Sequence, residues 1–173
     1  MIHPGQLLFK LMNVMTPSPI LALVLPSLGS TNWRIREEVL NVVILAISCF
    51  ARSMIDFYRL IGFVPSQIYP SSCCQSHSLL IFVFPLLLRD VVPLLSDEKP
   101  RVKSVALETM AVINNAIGTE SIMGMLKKYK IEDESASALY NRLKLPYLPS
   151  ISDGLVLDSP RSQADHVRLN TRH

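Results

Sequence analysis

The chain has 173 residues, enough for one domain or a short run of stacked repeats, and its 49% hydrophobic content against 18% charged excludes disorder throughout. Seventeen basic and fourteen acidic side chains leave a net charge of only +3, so an electropositive function requires local placement of Lys and Arg, and nucleic acid is not an expected partner. Cys49 and the adjacent Cys73 and Cys74 fit neither a disulfide framework nor a zinc spacing, which suits a reducing, cytoplasmic compartment.

The opening stretch MIHPGQLLFKLMNVM lacks the early basic residues and small-residue cleavage site of a signal peptide and predicts a helix entered at Pro4. Ser18 and Pro19 open a second helix through ILALVLPSL, with Pro26 near its last turn and Gly29 as its stop. Thr31 or Asn32 then caps a helix from Trp33 to about Phe50, in which Ile35, Val39, Val42, Val43 and Ala46 share one face. The apolar run VLNVVILAISCF within it is too short to span a membrane, for which about 18 residues are needed, and predicts a buried core helix.

Beyond residues 61–88, RDVVPLL predicts a short helix ending near Ser96, SDEK a turn, and PRVKSVALETMAVINNAI a helix with Pro100 in its first turn. Val102, Val105, Ala106, Met110 and Ile113 lie along one face, and Gly118 ends the helix. Further helices are predicted from Glu120 to Lys128, capped by Thr119, and from Glu132 to Leu143, with Ser135, Leu139 and Leu143 at spacing four. The acidic run Glu132 to Glu134 suits the positive end of that helix dipole. After Pro146 the composition predicts a loop, and residues 159–173 a disordered tail.

Two stretches echo each other. LPSLGSTNWRIREEVL from Leu25 and VPLLSDEKPRVKSVAL from Val92 align without gaps, pairing Arg34 with Arg101, Arg36 with Lys103 and Leu40 with Leu107 at an offset of 67 positions. Helical hairpins with a proline before the turn, an Asp or Asn in it and a basic residue opening the second helix are the mark of HEAT repeats, whose period is about 40 to 47 residues. Such hairpins bury their apolar faces only by stacking, so the expected architecture is all-α, an α-α superhelix of antiparallel hairpins over residues 1–158. The excess in the offset matches the segment from Ile61 to Leu88, which carries no charged residue and reads as an insertion into one ordinary repeat. Its Phe, Leu, Ser, Pro, Ile and Val content is that of a translated pyrimidine tract. Retained intron sequence is the expectation, with a lid-like insertion or a membrane contact through Leu79 to Leu88 as alternatives.

KLMNVMTPSPILALVLPSLGSTNWRIREEVLNVVILAI, DFYRL, VVPLLSDEKPRVKSVALETMAVI and RLKLPYLPSISDGLV together resemble the carboxy-terminal part of a TOG domain, most like those of the ciliary TOG-array family. The resemblance runs from Lys10 to Val156 apart from the insertion. It implies a flat HEAT solenoid that binds tubulin or microtubules along the edge made by the turns within each repeat, in the cytoskeleton and the cilium. The amino-terminal repeats that carry the family's principal tubulin-contacting tryptophan have no counterpart before Met1, and Trp33 does not align to it. A truncated product is therefore also expected, with an uncovered apolar face near Leu7, Leu8 and Leu11. A generic HEAT scaffold, or a product without stable tubulin binding, is the alternative reading.

Turns within successive hairpins project on one side of a solenoid, which gathers Trp33, Arg34 and Arg36 with Lys99, Arg101 and Lys103 into a short basic line suited to acidic tubulin. Arg34 and Arg101 suit equally a structural pairing with an Asp of a neighbouring turn. Lys99 and Arg36, at turn tips with only Glu98 and Glu37 or Glu38 nearby, are the better candidates for contact with a partner. Trp33 is either an exposed anchor or packed beneath its turn. His3, His77, His166 and His173 are scattered, and no nucleophile, phosphate-loop, metal or dinucleotide motif accompanies them. The expectation is a non-enzymatic protein without cofactor or metal.

Overall fold

A computed structural model of the chain describes residues 4–15, 17–60 and 87–157, with residues 51–60 described by their backbone. Proline and glycine punctuate it as the sequence suggests. Helix α1 spans Pro4–Val14, α2 spans Pro17–Val24 and tightens into a 3-10 turn over Leu25–Gly29, and α3 spans Trp33–Leu60. The last of these kinks at Phe50, whose φ of −131° leaves the helical region, so the expected end near Phe50 is a break in direction within a longer helix.

Helix α4 occupies residues 87–91 and runs into a second 3-10 turn over Val92–Ser96, followed by α5 over Pro100–Ile117. Gly118 stops α5 with a φ of 83°, where a side chain would be strained, and α6 (Thr119–Leu126) and α7 (Asp133–Leu143) complete the helices described. Thr119 lies inside the first turn of α6 and not at its cap, because Gly118 already occupies that position without a side-chain bond. The expectation of an insertion across residues 61–88 lies outside the described residues except at Leu87 and Leu88, which are buried in the core. The tail from residue 159 also lies outside them.

The two echoing stretches fold alike, position by position. Ser30 and Asp97 end the 3-10 turns with φ,ψ of −64°,143° and −59°,146°. Ser30 Oγ accepts from the N–H of Asn32 at 3.2 Å, and Asp97 Oδ1 accepts from the N–H of Lys99 at 2.9 Å. Each is a side-chain-closed turn that redirects the chain into the second helix of a hairpin. Asn32 then caps α3, its Oδ1 accepting from the N–H of Arg34 at 3.1 Å.

The core lies between α3 and α5 and their first-helix partners. Val39, Leu40, Val43 and Ile44 from α3, Leu88 and Val91 from α4, and Val102, Ala106, Met110 and Ile113 from α5 are all buried. Ile35 departs from the expected pattern at 42% exposed, although its repeat partner Val102 is fully buried. The reason is positional. Val102 sits between two stacked layers, whereas α1 enters level with the middle of α3, where Gly5 and Ile44 line one groove and the rings of Phe9 and Phe50 stand 6.0 Å apart, and leaves the first turns of α3 uncovered. Leu7, Leu11 and Val14 on α1, Met15 just beyond it and Leu23 on α2 are exposed, in keeping with the expected uncovered apolar face, while Leu8 packs against the core.

The loop expected after Pro146 contains order. Strands β1 (Ser150–Ser152) and β2 (Leu155–Leu157) form an antiparallel hairpin turned by Asp153 and Gly154, whose φ values of 49° and 74° suit a type I′ turn. The hairpin folds back over the helices. A Cβ at Gly154 would fall 2.7 Å from Phe9 Cβ, so glycine permits the turn to rest directly on α1.

Candidate functional site

The turn edge is built from the two helix starts. At α3, Trp33 is half-buried and packs against the core, while the guanidinium carbons of Arg34 and Arg101 stand 5.5 and 5.7 Å from its ring centroid. One indole therefore carries a cation from its own repeat and one from the next, a contact worth about 0.5–1 kcal/mol each at such exposed sites. Arg101 also pairs with Glu37 at 3.0 Å and remains largely exposed, with donors to spare.

Arg36 differs from the outward-pointing role expected of it. Its Nε and Nη2 donate to the Asp97 carboxylate at 2.8 and 2.9 Å, and its Nη1 donates to the Ser30 carbonyl at 2.6 Å. The side chain is mostly covered. The basic residue that pairs with an Asp of the neighbouring turn is thus Arg36, and neither Arg34 nor Arg101, because Arg36 lies half a turn further round α3 toward the second hairpin. Burial alone would push the Asp97 carboxyl up, but the hydrogen bonds from Arg36 and from the Lys99 N–H, with the charges of Arg36 and Lys103, hold it below its ordinary value.

Lys99 is exposed at the cap of α5 and Lys103 half-buried one turn on. The structure therefore gathers Trp33, Arg34, Lys99, Arg101 and Lys103 at the turn side of two adjacent hairpins and ties Arg36 inward as a strut between them.

Behind this edge a groove of about 600 Å³ runs between α3 and α5 and under β2. Trp33, Arg34 and Arg101 form its turn end, Glu37, Glu38 and Glu108 its middle, and Ile44 and Leu45 its apolar end. Glu108 is held by Arg142 of α7, whose Nε donates to it at 2.8 Å and whose Nη2 also donates to the Tyr147 carbonyl at 2.9 Å. That bond fixes the start of the segment leading to the hairpin. The groove was not legible from spacing, although Asp153-Gly154 is a recognised hairpin signal that points to its lid. No group of His, Cys, Asp and Glu suited to a metal occurs among the described residues.

Antiparallel hairpins stacked in series, with proline-led turns aligned on one edge, are a fold of the HEAT class, and its likeness to TOG-array proteins makes it TOG-like. The fold matches a solved structure of crescerin, a protein described as using a TOG domain array to regulate microtubules in the primary cilium, with a TM-score of 0.61 and 27% identity over 88% of this chain and 53% of that one. In sequence the chain is similar to the TOG array regulator of axonemal microtubules protein 1 of Mus musculus and of Homo sapiens, at 27% identity over 154 residues in both. These matches cover 86% of this chain, which spans only 7% of the length of either relative. No protein-family model matches the chain.

Proposed function

We propose that the chain is a tubulin- or microtubule-binding TOG-type module that acts without catalysis in the cytoskeleton, including that of the cilium. The observation that carries this reading is the shared indole: Arg34 and Arg101, from consecutive turns, flank Trp33 on the edge where the two helix starts meet. Stacking against the ring restrains two long side chains and lowers the entropy lost when a carboxylate binds them. Lys99 and Lys103 extend the line, and an acidic partner gains on-rate from it even though the whole chain carries only +3. The names of the relatives, all concerned with microtubules, support the same choice of partner.

Co-sedimentation with microtubules and gel filtration with free tubulin test the proposal. The unmutated chain binds one of the two, and Lys99→Glu with Arg101→Glu abolishes binding while leaving the helical circular dichroism unchanged. Failure of the unmutated, folded chain to bind either form overturns it.

A further inference from the structure

We propose that the outward face of α1, with the exposed side of α2, is a self-association surface that pairs two copies of this chain about a two-fold axis. The inference does not depend on tubulin binding at the turn edge. Helix α1 is apolar on two opposite sides. Leu8 and Met12 pack into the core and Phe9 against Phe50, while Leu7, Leu11 and Val14, at spacings of four and three on the far side of the helix, are exposed together with Met15 just beyond it. A surface helix needs one apolar stripe, and a helix with two belongs between two layers. Lys10 stands with Gln6 and Asn13 on the flank that borders Asp153 of the hairpin turn, which leaves the exposed stripe itself without charge. Leu23 is likewise exposed on α2, which packs against α1.

Charge and area select the occupant. Lys10 is the only charged side chain among residues 1–33, whereas the other end of the stack is closed by α6 and α7 and exposes Lys127, Lys128, Lys130, Glu132, Asp133 and Glu134. A polar outer face is the ordinary cap of a solenoid, so among the described residues only one end of this stack is capped. Seating the α1 stripe of one copy on the capped end of the next would desolvate those charges, which disfavours a head-to-tail filament. The uncharged stripe fits its own copy in a closed pair. Its five exposed side chains leave about 500 Å² open per copy, so the pair buries about 1,000 Å², the lower limit for a specific interface and suited to a reversible dimer. Spacings of four and three let two such helices interlock, and Leu11, in the middle of the stripe, meets its own copy across the axis.

Sedimentation equilibrium of the intact chain, from about 1 to about 200 µM, tests the pairing. The weight-average mass rises from 19.4 kDa toward twice that value and no further. Leu11→Lys and Val14→Lys each weaken the dimer by at least about tenfold and leave the helical circular dichroism unchanged. Because Leu11 faces itself across the axis, an equimolar mixture of Leu11→Lys and Leu11→Glu pairs more tightly than either variant alone, which a head-to-tail contact does not reproduce. Val14 is 85% exposed in the single chain, so Val14→Lys keeps the test decisive where a Leu11 variant loses helicity. A mass that stays at 19.4 kDa, growth beyond two copies, an unchanged dimer in Val14→Lys, or a mixture no tighter than its components overturns the proposal.

Discussion

Arg36 and Asp97 join the two consecutive turns through a two-pronged ion pair, with hydrogen bonds of 2.8 and 2.9 Å and side chains only 14% and 6% exposed. Arg36 thereby fixes the spacing of the hairpins that carry the candidate edge. Removing one partner leaves a mostly desolvated charge uncompensated, so Arg36→Ala should destabilise the chain by about 2–3 kcal/mol, somewhat below the cost of breaking a fully buried pair. Chemical denaturation of Arg36→Ala, Asp97→Ala and the double variant measures this, and a coupling near zero in that cycle contradicts it.

The same pair sets an acid sensitivity. Asp97 titrates below its ordinary value of 3.8 when folded, so the stability it contributes is present above that value and is lost as the pH falls from there through the lower folded one. Melting temperatures followed from neutral pH downward should drop in that window. Asp97→Asn should lower the neutral-pH value and flatten the drop.

Arg101 offers the contrast with Arg36. Its pair with Glu37 leaves it 72% exposed, so Arg101→Ala should change stability by no more than about 1 kcal/mol. Binding of tubulin or microtubules should weaken by about tenfold, in line with the loss of a charge-assisted contact of about 1.4 kcal/mol. Paired denaturation and co-sedimentation measurements separate the two effects.

Gly154→Val should detach the hairpin from α1. It imposes a side chain at a φ of 74° and drives a Cβ to 2.7 Å from that of Phe9, for a cost of about 1–3 kcal/mol. Amide exchange at Ser152 and Leu155, whose N–H groups bond across the hairpin, should rise in this variant while the amides within α5 stay protected.

Repeat-equivalent positions should respond unequally. Val102→Ser, between two layers, should cost about 2 kcal/mol or more, whereas Ile35→Ser, 42% exposed, should cost less than about 1 kcal/mol. Thermal melts of the two variants check the ranking, and equal losses would show that Ile35 is covered in solution.

Local chemistry decided much of this architecture in advance. Proline fixes φ and glycine, free of a Cβ, disfavours helix wherever they stand, so Pro26, Gly29, Pro100 and Gly118 place the turns and the two hairpins from the sequence, as the helical period places the core face of Val39, Val43, Ala106 and Met110. The matching of the two turns, residue for residue, was readable for the same reason. Asp153-Gly154 also carried a hairpin signal, yet the surrounding Pro and Ser obscured it, because a two-stranded ribbon is marginal alone and gains its order by resting on α1 and α3. Which cation serves structure and which faces outward was a different kind of question. Arg34, Arg36 and Arg101 are chemically alike, and only the rotation of each about its helix, with Asp97 and Trp33 brought in from the other repeat, turns Arg36 inward and leaves Arg34 and Arg101 on the indole. Ile35 and Val102 hold equivalent places in one repeating pattern, and layer stacking alone exposes the first and buries the second, since burial depends on the neighbours that long-range packing supplies.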